Sequence, residues 1–216
     1  MPRWSPVASP PMAAPRLLVL MLGAVLLAGC GDDAEETSTT GPPPKPEKAE
    51  QVQGLPAGWT IERNPAQGFS LGAPPGWRQG TDCFAKGGVE LPTTILCSPD
   101  KLVTLSISAD RTADALELDP KEFAARTMEG LGDSYDGLQS SKPKPFKAHY
   151  PGAIVEGTGT AAGTGVPQDV SVVVLRRDDV ANFTAVIAAN AGQPTGLAAG
   201  LAEDALTTLR SQPVGG

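Results

Sequence analysis

The chain has 216 residues, with 24 Asp and Glu against 17 Lys and Arg, for a formal net charge of −7. An acidic balance argues against nucleic acid as a partner, because phosphate is bound through Lys and Arg. Three cysteines and a single histidine leave few ligands for a zinc site.

Residues 1–29 read as a secretory leader, to be set aside before any core is counted. Arg3 and Arg16 give a positive start, and Leu17 to Leu27 form an unbroken apolar run of eleven residues. That run is too short for a bilayer core of about 30 Å, which needs roughly 20 residues, but it suits the core of a signal peptide. It ends in Leu27-Ala28-Gly29-Cys30, which resembles the bacterial lipobox. The resemblance implies cleavage before Cys30 and a diacylglycerol on its thiol. The competing reading is an ordinary secretory signal with a chance cysteine after the cleavage site. Met12 offers a tidier start, which would make residues 1–11 an extension. Each buried lipid methylene contributes about 0.8 kcal/mol, so two or more chains anchor stably without a transmembrane helix. The expected location is therefore the cell membrane, lipid-anchored and facing away from the cytoplasm.

From Cys30 onward the chain has 15 Lys and Arg against 24 acids, so the lipid rather than a basic surface would hold it to an anionic membrane. Residues 30–54 carry one larger apolar side chain, Val52, among acids, Ser, Thr, Pro, Gly and Lys. Such a segment cannot bury enough apolar surface to offset its ordering entropy, and it reads as a disordered tether. The run Gly41 to Pro46 should be locally extended. A flexible chain of this length averages roughly 25 Å end to end. Residues 55–216 are long enough for one domain with its own core.

Within that domain, Leu55 to Glu62 and Gly68 to Trp77 look like short strands bounded by Pro and Gly. Between Lys101 and Ala109, Val103, Leu105, Ile107 and Ala109 alternate with polar residues, the pattern of a strand buried on one side. Asp119 and Pro120 should start a helix, with Glu122 placed as in a capping box and Ala124, Met128 and Leu131 on the inner face. Gly130 or Gly132 should end it. Three further strands are expected at 153–160, 170–177 and 182–189, the last two joined through Asp178 to Ala181. Val172 and Val174 lie on one face of their strand and Val173 and Leu175 on the other, so that strand should be covered on both sides. A closing helix is expected from Leu197 to Arg210, capped by Thr195, with Leu197, Leu201, Ala205 and Leu209 as its apolar stripe. Strands and helices in this order predict an α+β fold, a mainly antiparallel sheet sandwiched between helices.

The segment Gly68 to Trp77, the strand 102–109, the helix from Asp119 to Leu131, the long hairpin and the final helix together resemble the PsbP-like superfold. More narrowly, they resemble small actinobacterial lipoproteins of the LpqN type. The resemblance runs over roughly residues 55–212 in pattern only, and it implies a non-enzymatic binding or accessory role. It carries over no catalytic residues, and fold alone does not fix function.

Cys83 and Cys97 flank a Gly-rich stretch around Lys86-Gly87-Gly88. Outside the cytoplasm such a pair is most simply a disulfide. A redox pair or a metal site is the sharper alternative, though the spacing does not match CxxC and a zinc ion would need further ligands. Lys142, Lys144, Phe146, Lys147, His149 and Tyr150 form the one basic and aromatic cluster of the chain. They could dock an anionic ligand such as a lipid headgroup or a wall polymer. The plainer reading is an edge segment, since Pro and Lys discourage edge-to-edge pairing of sheets. Trp59 and Trp77, each after a glycine, should pack on the core or cap the sheet.

No nucleophile elbow and no H-E-x-x-H motif is present. The run Gly157 to Thr160 and Gly163 to Gly165 lacks the lysine of a phosphate loop and reads as a small-residue strand and its turn. No metal and no cofactor are expected. The leading reading is thus a lipid-anchored, non-catalytic module with an envelope protein or a small ligand as partner. An envelope enzyme centred on His149, or a structural subunit of a membrane complex, are the alternatives.

Overall fold

The computed structural model describes residues 51–83, 93–178 and 180–214. The leader, Cys30, most of the tether and the Lys86-Gly87-Gly88 stretch lie outside the described residues. The chain folds as α+β, with a mostly antiparallel sheet and few helices, as its pattern of elements predicts.

Two sheets are present among the described residues. A small one holds β1 (Thr60–Asn64), β2 (Phe69–Ala73) and β11 (Arg210–Ser211) in the order β1-β2-β11. The large one holds β3 (Arg78–Gln79), β4 (Thr94–Cys97), β5 (Val103–Asp110), β6 (Tyr135–Ser140), β7 (Lys144–Lys147), β8 (Pro151–Ala161), β9 (Pro167–Arg177) and β10 (Ala181–Asn190). Its order is β3-β4-β5-β10-β9-β8-β6, and β7 pairs with another stretch of β8. Among the described residues three α-helices accompany them: α1 (Ala113–Glu117), α2 (Pro120–Gly130) and α3 (Gly196–Thr207).

The two-sided apolar run of β9 determines the layering. Val170, Val172 and Val174 join Ala153 and Val155 of β8 against Ala124 and Met128 of α2. Val173 and Leu175 join Ile154, Phe183, Ala185 and Ile187 on the opposite face, under α3 and the small sheet. Each face therefore has its own apolar cluster, and helices lie on both sides. Trp59 and Trp77 are half-buried against the second cluster, near the small sheet.

Local signals explain most boundaries. The side chain of Asp119 accepts from the backbone N–H of Lys121 (2.7 Å) and of Glu122 (3.1 Å), which satisfies two orphan donors of α2. Glu122 itself reaches forward to Arg126 at 2.8 Å, an i,i+4 pair on the exposed face. The strand expected from Leu55 begins only at Thr60, because Pro56 to Trp59 form a turn closed by the Trp59 N–H on the Pro56 carbonyl at 3.2 Å. Gly58, at φ +83°, supplies a conformation that other residues avoid.

The closing helix departs from its expected stripe. Ala205 and Leu209 of that stripe are buried, Leu209 already past the helix end at Thr207, but Ala202 and Leu206 are buried with them and Leu197 is 81% exposed. Counting in strict steps of four overshoots the 3.6-residue turn, so the stripe drifts around the helix. Small alanines face the sheet and let the helix sit close to it. Thr195 precedes the helix without capping it, its hydroxyl turning back to the Gln193 carbonyl at 3.4 Å.

Cys83 and Cys97 are joined as a disulfide, their Cα atoms 5.5 Å apart. With Ile95 they form a small buried cluster at the β3–β4 edge. A crosslink closing 14 residues of chain lowers the entropy of the unfolded state by about 3 kcal/mol at room temperature. The double variant Cys83→Ser, Cys97→Ser should lose about that much in urea unfolding. A loss below about 1 kcal/mol would mean that the crosslink does not constrain the unfolded chain.

Candidate functional site

The large sheet is not covered along its whole length. On the α3 side, β8 runs from Ile154 in the core to Glu156, Thr158 and Thr160, and β9 runs back from Val173 to Ser171 and Asp169. The register pairs Glu156 with Ser171, Thr158 with Asp169, and Thr160 with Pro167. Alternation places these polar side chains on the same face as Ile154 and Val173. The apolar face thus becomes a hydroxyl- and carboxylate-bearing one where α3, which packs on β2, β5 and β10, no longer covers it.

Strand β6 forms the outer wall. Asp136 pairs with Thr160 but Gln139 with Thr158, so β6 spends one more residue than β8 over that interval. Gly137, at φ +65°, absorbs the extra residue as a bulge. The bulge brings Gln139 to the rim.

Two open depressions result, of about 460 Å³ and about 420 Å³. Gln139, Thr158 and Asp169 line both, so they form one trough along the strands. Glu156 and Ser171 close one end, and Thr160, Pro167 and Ala191 the other. Among the described residues, no Lys, Arg or His lines either part.

Glu203 of α3 lies within electrostatic reach of Glu156 at one end of the trough. Burial pushes its carboxyl up, and the charges of Glu156 and Asp204 push the same way. Glu156 is also held by Lys144 of β7, Nζ to Oε2 at 2.6 Å. Because the folded state holds the Glu203 proton more tightly than the unfolded chain does, its ionisation disfavours folding. Stability should fall as pH rises from the ordinary carboxylate range through the raised folded value, and Glu203→Gln should remove that part of the fall. The variant should gain stability at neutral pH and match the parent chain in acid. A loss at neutral pH would show that Glu203 is favourably engaged instead. Urea unfolding across pH 4 to 8 reads this directly.

The structure places the basic and aromatic cluster on and beside an edge strand. Lys144 and Lys147 sit at the two ends of β7, exposed, with Pro145 between them, and β7 pairs with β8 alone. Phe146 is half-buried against the core, and Tyr150 is buried in it, its hydroxyl accepting from the Ser211 N–H at 2.9 Å. The Tyr150 ring lies 5.8 Å from Phe183 and 4.7 Å from the exposed His149 ring. Lys142 lies just before β7, exposed. The two aromatic members of the six thus face inward. Lys144 is engaged by Glu156, and Lys142, Lys147 and His149 are the other exposed members, His149 with its ring against Tyr150.

Among the described residues, no group of three or more His, Cys, Asp or Glu side chains is placed to hold a metal ion. Among the same residues no helix is long and apolar enough to cross a membrane. The trough itself escapes sequence reading. Glu156, Thr158, Asp169 and Ser171 alternate with Gly157, Gly159 and Val170 as in any half-exposed hairpin. Its only local signal is polarity inside two otherwise apolar strands.

No protein-family model matches the chain, and no curated protein matches it. Several solved structures are similar in fold. A protein from Bacteroides thetaiotaomicron shares 16% identity at a TM-score of 0.45, over 70% of this chain and 48% of that one. The chain therefore spans about half the length of that protein. LpqN of Mycobacterium tuberculosis, described as involved in cell envelope biogenesis, shares 16% identity at a TM-score of 0.41, over 74% of this chain and 88% of that one. PA94 of Pseudomonas aeruginosa, of unknown function and described as a putative regulator, shares 14% at a TM-score of 0.42, over 72% and 99%. These are remote likenesses of fold and assign neither family nor activity.

Proposed function

We propose that this chain is a non-catalytic binding or accessory module, held by lipid on Cys30 at the outer side of the cell membrane. In this reading it is a small lipoprotein of the LpqN type with a PsbP-like domain, and its partner is an envelope protein or a small ligand. The observation that carries the proposal is the Leu27-Ala28-Gly29-Cys30 sequence directly behind an eleven-residue apolar run. A disulfide between Cys83 and Cys97 fits an oxidising compartment. The binding surface is the trough over β6, β8 and β9, continued across the Lys144–Glu156 pair to Lys142, Lys147 and His149. Such an open, polar surface suits recognition more than chemistry, since catalysis needs a water-excluding site with preorganised groups.

Anchor and surface are tested separately. A clickable palmitate analogue fed to cells should label the parent chain in the membrane fraction, and Cys30→Ser should carry no label. Label on the serine variant, or an unlabelled parent chain, would remove the anchor from the reading. For the surface, a photo-crosslinking residue at Thr158 should capture a partner in whole cells that one at Arg126, on the exposed face of α2, does not. Equal capture from both positions would remove the trough as a binding surface.

A further inference from the structure

We draw no further inference here: the strongest candidate, the exposed face of α3 formed by Gly196, Leu197 and Gly200, is a small apolar face with nothing in the structure to show what covers it.

Discussion

Replacing Phe183 with alanine should lower the stability of the domain by about 3–5 kcal/mol, as expected for deleting a ring from a close-packed core. Phe183 is 1% exposed on β10, near the middle of the large sheet. Its ring meets Phe69 edge-on at 6.0 Å and Tyr150 at 5.8 Å. Phe69 belongs to β2 of the small sheet and Tyr150 to the turn before β8, so this one ring packs three separate segments together. Alanine would leave a cavity beside the Phe69 and Tyr150 rings, which side chains held on separate strands can only partly collapse to fill. Phe183→Leu keeps most of the volume and should cost about 1 kcal/mol. Urea midpoints with an unchanged slope check both values. An alanine variant that loses less than about 1 kcal/mol would show that the sheets are held together elsewhere.

The second large effect is expected at Asn182, which is fully buried. Its Nδ2 donates to the Ala115 carbonyl at 2.7 Å, and its Oδ1 accepts from Arg176 Nε at 2.9 Å. Arg176 then spreads over the end of α1, donating through Nη1 to the Leu116 carbonyl at 3.0 Å. Its Nη2 donates to the Ala115 carbonyl at 3.1 Å and also to the Leu118 carbonyl. A five-residue helix is far below the length that is stable in isolation. Helix α1 therefore exists because a guanidinium and an amide gather the carbonyls that its last turn leaves unpaired. Asn182→Ala leaves the Ala115 carbonyl with Arg176 alone and strips Arg176 Nε of its charge-assisted bond, at a cost of about 2–3 kcal/mol. Amide exchange of residues 113–118 should accelerate more than that of α2. Arg176→Ala should loosen the same amides, and the double variant should cost less than the sum of the two singles. Additive losses would mean that the two side chains act independently.

The parts of the fold that were legible beforehand share one property: their pattern is set by burial against their own neighbours. Strand β5 alternates, β9 is apolar on both faces, and α2 opens with an aspartate and a proline. The parts that were not legible depend on distant partners. Strand β4 has four buried residues and no alternation, because Leu96 enters the main core on one face and Cys83 packs with Ile95 and Cys97 on the other. Strand β6 looks like loop in sequence and is a strand because β8 is long enough to pair with both it and β7, whose Pro and Lys already read as an edge segment. Helix α1 has its signal 60 residues away, in Arg176. The candidate site follows the same rule. Trough residues are polar because α3 ends its coverage before reaching them, and no local pattern records where a distant helix stops.

The small sheet sets the order in which the molecule can be completed. Its central strand β2 lies near the start of the domain, and one of its two partners, β11, is contributed by residues 210 and 211. Ser211 also closes onto Tyr150, and Gln212 reaches back to Ser70 at 3.0 Å. Contacts of this sequence separation carry a high loop-closure cost and slow folding. Until residues 210 and 211 dock, the small sheet lacks the strand that pairs with Phe69 and Ser70. A chain cut before Arg210 should therefore remain open at the sheet where its first strands pair.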